Sequence, residues 1–199
     1  MKLVIWIRLI MLIGLAGTPF ICSCQQLDPA TEPNVIYGDH HIFTINTPTG
    51  WVNDKVAASK IGLVSFFYAQ GDSSKQRRSY FYAMGYDKGS KEESLSTFID
   101  ADLKTFKNKY PNFKYDKVEV GTSGGIINGE MYSFNNLSDR FREEVVYMET
   151  IEAILVFSFA AFTEQEFNSY QPVFDDFISS FNYRGNNPKP YLDWLEKRN

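Results

Sequence analysis

The sequence predicts an α+β fold, a mostly antiparallel sheet with two long amphipathic helices. Three observations predict it. Strand-like runs follow one another in series, two segments carry apolar residues at helical spacing behind a capping pattern, and the order is strands, helix, four strands, helix. Composition agrees. The 199 residues suit one domain. With 44% hydrophobic and 16% aromatic residues, including 17 Phe and 12 Tyr, they supply an aromatic-rich core of the kind sheets favour.

The first strand is expected over residues 41–46, before turn chemistry at Thr47, Pro48, Thr49 and Gly50. Trp51 follows that turn, where a large ring can close one end of the core. "GLVSFFYAQ" (62–70) and "SYFYAMGYD" (79–87) bracket "GDSSKQRR" and read as a hairpin with a polar tip. Tyr80, Tyr82, Met84 and Tyr86 alternate with Phe81 and Ala83, which suits a sheet covered on both faces.

In "SKEESLSTFIDADLKTFKNKYP", Ser90 and Glu93 form a capping-box pattern. Leu95, Phe98, Ile99, Leu103, Phe106 and Tyr110 share a face, and Pro111 ends the helix. Strands are expected over 114–120, 125–134, 143–150 and 153–162, with a tight turn in "ETIEAI". In "TEQEFNSYQPVFDDFISSF", Thr163 and Glu166 repeat the capping pattern. Phe167, Tyr170, Phe174, Phe177, Ile178 and Phe181 share a face, and Pro172 either kinks the helix or starts a second segment. "RGNNPKP" then breaks structure, and "YLDWLEKRN" forms a short terminal turn.

The domain is preceded by a leader. Residues 1–23 read as a signal segment, with Lys2 as the charged start and the apolar stretch "LIMLIGLAG". That stretch is shorter than the about 20 residues a spanning helix needs. Counted from Leu3 across Arg8 it is a marginal span, so an uncleaved membrane anchor is the alternative. Both cysteines lie in "ICSC". Two residues apart, Cys22 and Cys24 do not suit disulfide geometry, and two thiols without neighbouring ligands do not make a metal site. "ICSC" resembles the lipobox of bacterial lipoproteins: Ile21 takes the aliphatic position and Ser23 the small one before Cys24. The resemblance implies cleavage before Cys24 and acylation of that residue. Residues 24–35 then read as a tether, 36–185 as the folded domain and 186–199 as a tail.

"FTINTPTGWVND" and the closing helix "FNSYQPVFDDFISSF" resemble the α-β-α sandwich of PsbP-like and DcrB-like proteins, over most of residues 42–183. That resemblance implies an extrinsic subunit, periplasmic lipoprotein or adaptor. Catalysis is not the shared property of the fold, and no family binding residue can be carried over.

The residues that could carry chemistry are few. "GTSGG" matches G-x-S-x-G with Ser123 at the nucleophile position, but a strand pattern follows it where a hydrolase elbow needs a helix. His40 and His41 are adjacent, so on a strand they point to opposite faces and do not share a metal; Asp39 does not change that. Asp100 and Asp102 do not face each other on a helix. Lys75, Arg77 and Arg78 concentrate positive charge at the hairpin tip and are the candidate partner contact, toward anionic headgroups or an acidic protein. Without Lys2 and Arg8 of the leader, 18 basic residues face 24 acidic ones, a net charge of −6 that argues against nucleic-acid binding. The expected function is a lipid-anchored module of the bacterial cell envelope, periplasmic or surface-facing. It is non-catalytic, needs no cofactor, and binds an envelope protein partner. The alternatives are a serine hydrolase using Ser123 and a carrier of an apolar small molecule.

Overall fold

The computed structural model describes residues 33–71, 79–90, 93–118 and 129–198. The chain opens with strands β1 (Asn34–Tyr37), β2 (Ile42–Ile45) and β3 (Trp51–Asn53), a short helix α1 (Lys55–Lys60), and strands β4 (Phe67–Ala69) and β5 (Tyr80–Asp87). Helix α2 (Leu95–Lys109) leads to strands β6 (Lys114–Val118), β7 (Gly129–Asn135), β8 (Arg142–Glu149) and β9 (Ala153–Ala161). Helix α3 (Glu164–Ser179), strand β10 (Asn182–Gly185) and helix α4 (Lys189–Glu196) complete it.

Seven strands form one antiparallel sheet in the order β3-β4-β5-β9-β8-β7-β6, and three form a second in the order β1-β2-β10. Every residue of β9 is buried, so this central strand needs cover on both faces. On one face α2 lays Leu95, Ile99 and Leu103 over Tyr132, Val145, Tyr147 and Val156. On the other, Phe167, Phe174 and Phe177 of α3 pack with Phe81, Phe157 and Phe159, and the small sheet adds Phe43 and Ile45. The expected alternation of β5 holds: Phe81 and Ala83 are fully buried toward α3, while the tyrosines turn toward α2. Edge strand β6, "KYDKV", is exposed and charged, which blunts further pairing.

Several elements begin elsewhere than expected. Asn34 and Val35, placed in the tether, already pair with Ile45 and Thr44. Asn34 donates to Ile45 O at 3.1 Å and accepts from Asn53 Nδ2 at 2.7 Å, tying β1 into the domain. The run 62–70 forms a strand only from Phe67. Asp54 accepts from the Ala57 amide at 2.7 Å and starts α1 ahead of it. The Ser65 hydroxyl donates to Ala83 O at 2.7 Å and accepts from Ala83 N at 3.0 Å, so a side chain replaces a ladder rung there. Helix α2 is capped not by Ser90 and Glu93 but by Ser94 and Thr97, whose side chains reach each other's backbone amides at 3.3 and 3.0 Å. Glu93 instead accepts from the Gly89 amide at 2.8 Å. The same reciprocal chemistry is available directly before the first apolar residue, and that copy wins. Thr163 does cap α3. That helix runs through Pro172 unbroken, with the proline ring on its exposed side. The terminal segment extends into β10 and α4.

Trp51 starts β3, directly after the expected turn. The Trp51 amide donates to Pro48 O at 3.0 Å with Gly50 at φ 77°, a turn that needs glycine at its third position. The indole is 9% exposed, stacked on Phe81 at 4.0 Å and edge-on to Tyr170 at 5.1 Å. His40 is exposed, whereas His41 is 2% exposed and lies where a Cβ on Gly85 would come within 2.1 Å of its Nε2.

Two stability predictions follow from this packing. Trp51→Ala should cost about 3 to 5 kcal/mol in urea unfolding, because the cavity left between Phe81 and Tyr170 cannot close; an unchanged midpoint would show the ring bears no load. Gly85→Ala should lower the unfolding midpoint, and lower it less in a His41→Ala background, where the ring no longer occupies the space. Equal losses in both backgrounds would remove the imidazole as the obstacle.

Candidate functional site

The α2 face of the large sheet carries a charged network in an otherwise apolar setting. Adjacent residues on a strand point to opposite faces, so Glu143 and Glu144 of β8 part company: Glu144 looks toward α3 and Glu143 toward α2, and both are buried. Glu143 is 1% exposed. Its Oε1 accepts from the Ser158 hydroxyl of β9 at 2.7 Å, and its Oε2 accepts from Arg140 Nη1 at 2.6 Å.

Arg140 uses its whole fork. Nη1 also donates to Tyr80 Oη at 3.0 Å, Nη2 to Tyr110 Oη at 3.2 Å and Asp139 Oδ2 at 3.0 Å, and Nε to Asp139 Oδ1 at 2.9 Å. Tyr110 donates to Asp139 Oδ2 at 2.9 Å, closing the ring of bonds. Beside it, Tyr147 donates to Asp102 at 2.5 Å.

The electrostatics follow from this arrangement. The Arg140 guanidinium holds Asp139 down to about 2 despite some burial. Burial pushes the Glu143 carboxyl up, opposed by Arg140 and Ser158. Burial likewise raises Asp102 against the Tyr147 hydrogen bond, and raises the Tyr80 and Tyr82 phenols with Glu143 adding to both.

Above this network lies a cleft of about 280 Å³, open to solvent. Ile61 and Leu63, from the loop after α1, form one wall and Phe106 of α2 the other; Tyr80, Tyr82, Arg140 and Glu143 lie at its floor, with Lys109 at its border. The exposed lining is mostly apolar. Val56, Ile61 and Val64, on α1 and the loop after it, are 65%, 60% and 51% exposed.

Of the residues singled out from the sequence as candidates for chemistry, the described ones do not line this cleft. Cys24, Lys75, Arg77, Arg78 and Ser123 lie outside the described residues. Asp102 points into the sheet to meet Tyr147, and Asp100 takes no part in that bond. His41 Nδ1 donates to Asp87 Oδ1 at 2.7 Å, and the same carboxylate accepts from the amides of Asp39 and His40 at 2.7 and 3.0 Å. Burial opposes ionisation of Asp87, but these bonds together hold its carboxyl below the usual range. Among the described residues, no three His, Cys, Asp or Glu side chains group as metal ligands, and no helix is long and apolar enough to cross a membrane. The Arg140–Glu143–Ser158 network was missed from sequence. Its signal was present in "RFREEVVYMET": Glu143 and Glu144 are adjacent before a run apolar on both faces, so one carboxylate goes to each covered face, and a buried carboxylate needs a cation nearby.

No protein-family model matches the chain, and no curated protein matches it. The solution structure of cyanobacterial PsbP (CyanoP) from Synechocystis sp. PCC 6803 is similar to it, with a TM-score of 0.51 and 13% sequence identity. The match covers 81% of this chain and 98% of that one. At that identity the likeness is one of fold, and the fold of this chain is PsbP-like: an α+β arrangement with antiparallel sheets between helical layers.

The network makes a pH-dependent prediction. Arg140→Met leaves Glu143 buried without its cation and should cost about 3 to 5 kcal/mol near neutral pH. The Glu143 carboxyl, already raised, rises further in the variant. A raised carboxyl keeps its proton in the folded chain where the unfolded chain, with a pKa of about 4.3, has lost it. Its folded form is therefore favoured at low pH and loses ground as pH rises through the folded value. Asp139 acts in the opposite sense, but only at pH below about 4. Urea unfolding between about pH 5 and 8 should show the deficit of Arg140→Met shrinking on acidification. Adding Glu143→Gln should recover most of it. A deficit that does not change with pH would show that Glu143 is not the stranded charge.

Proposed function

We propose that this protein is a lipid-anchored lipoprotein of the bacterial cell envelope, whose PsbP-like domain is a non-catalytic module that binds a partner protein at the α2-face cleft. One observation carries the reading. The charged groups at the floor of the cleft are paired with one another, while the walls that face solvent are apolar. Arg140 uses all five of its donors and each oxygen of Glu143 accepts one of the bonds, so the floor is held in shape by its own partners. What is offered outward is Ile61, Leu63, Phe106 and tyrosine rings, a surface that takes an apolar or aromatic anchor from a partner.

Access from solvent favours this over the carrier: a small-molecule site buries most of its ligand, whereas this cleft of about 280 Å³ is open to solvent and suits a partner's side chain. The hydrolase is disfavoured because the Nε2 of His41, one of two histidines, is buried against Gly85. The anchor rests on Ile21, Ser23 and Cys24 after the apolar leader.

A photoreactive benzoylphenylalanine at position 106 should give a discrete protein adduct in cells, and the same group at exposed Gln165 on α3 should not. Labelled palmitate should enter the wild type and Cys22→Ser but not Cys24→Ser. No adduct at 106 would overturn the binding site, equal labelling of both cysteine variants would overturn the anchor, and fluorophosphonate labelling abolished by Ser123→Ala would install the hydrolase.

A further inference from the structure

The last helix is the part of the domain least accounted for by folding. Helix α4 has no buried residue. At 100° per residue, Trp194, Tyr191, Leu195 and Leu192 fall within an arc of about 160°, with Lys189, Asp193, Glu196 and Lys197 on the remainder. A helix this amphipathic normally buries its apolar arc, yet Trp194 is 47% exposed and the other three are only half covered.

Charge says what covers it. Residues 183–199 hold four basic residues, Arg184, Lys189, Lys197 and Arg198, against Asp193 and Glu196, a net +2. The remaining residues hold 16 basic against 22 acidic, a net −6. The guanidinium of Arg198 lies over the Trp194 ring at 4.6 Å, and that of Arg184 over the Tyr191 ring at 5.7 Å. Cations are thus placed directly beside aromatic rings, one level for headgroup phosphates and one for the boundary beneath them. An acidic protein that concentrates its surplus positive charge around an exposed Trp194 and the half-buried Tyr191, Leu192 and Leu195 beside it has a local match to an anionic bilayer surface.

We propose that α4 is an interfacial helix that lays the domain on an anionic membrane, Trp194, Tyr191, Leu192 and Leu195 entering the headgroup boundary and the flanking Arg and Lys binding lipid phosphates. This rests on the helix and its charge and not on Cys24, so helix and anchor can fail separately. With three tryptophans in the chain and Trp51 enclosed, a full-length Trp6→Phe protein reports chiefly through Trp194.

On vesicles containing phosphatidylglycerol, its emission should shift to the blue, and lipids brominated on the acyl chain should quench it. Phosphatidylcholine vesicles should produce neither effect, whatever the leader does. Arg184→Gln with Lys197→Gln should raise the vesicle concentration needed by about thirtyfold, at the usual contribution of a surface cation. Leu192→Asp with Leu195→Asp, which touches no buried residue, should abolish the quench with far-UV circular dichroism unchanged. Absence of quenching on phosphatidylglycerol in a folded protein would overturn the proposal, as would equal quenching on phosphatidylcholine. So would a photocrosslink from position 194 to a protein without any vesicle effect, which would assign the helix to a protein partner.

Discussion

Strand β9 sets the terms for everything else. Nine consecutive residues, "AILVFSFAA", are buried on both faces of an antiparallel sheet. A strand of that kind cannot rest at a solvent boundary, so it takes the centre, with β5 and β8 hydrogen-bonded on either side and a helical layer on each face. Each buried Phe or Leu contributes about 1.5 to 3 kcal/mol relative to exposure. The aromatic richness of the chain is concentrated where that gain is available: Phe157 and Phe159 meet α3 and the small sheet, while Ile154 and Val156 meet α2.

The same strand explains why the polar network is where it is. Ser158 is the polar exception in β9, and it is fully buried. The sheet's register brings Val145 opposite it and Glu143 two residues along on the same face, so the hydroxyl and carboxylate meet. A carboxylate so placed demands a cation, and Arg140, just before the strand, supplies it. Tyr80, Tyr110 and Asp139 then fill the guanidinium's remaining donor positions. Arg140 thus joins β5, β8 and the end of α2, Glu143 carries the link on to β9, and together they make a fixed floor beneath an apolar-walled cleft.

A second polar joint holds the small sheet to the large one. Asp87 at the end of β5 receives bonds from His41 and the amides of Asp39 and His40, and the imidazole lies between Gly38 and Gly85. The histidine pair that might suggest a metal is thus half solvent-exposed and half a packing element. Polar residues of this domain act mainly as fasteners between layers. Among the described residues, large apolar side chains stay exposed at Ile61 on the cleft wall and at Trp194 on α4.

The α+β class, both long helices with their apolar faces, the antiparallel strand series and the turn before Trp51 were determined by the sequence alone. All of these are written in short-range signals. A 3.6 or 2-residue period, a Thr163 cap or a Pro48–Gly50 turn depends on neighbours within a few positions. What only the tertiary structure decided has a longer reach. The Ser94–Thr97 cap displaced the equally plausible Ser90–Glu93 pattern, because the helix starts where its first apolar residue reaches the sheet. Helix α1 formed over a stretch with no expected element, because Asp54 capped it, and the run expected as strand from Gly62 pairs only from Phe67, with Ser65 standing in for the missing rung on β5. Arg140 meets Tyr80 across 60 positions and Glu143 meets Ser158 across 15. No local pattern encodes those meetings, since they depend on which strands pair and in which register, and that is settled by burying β9.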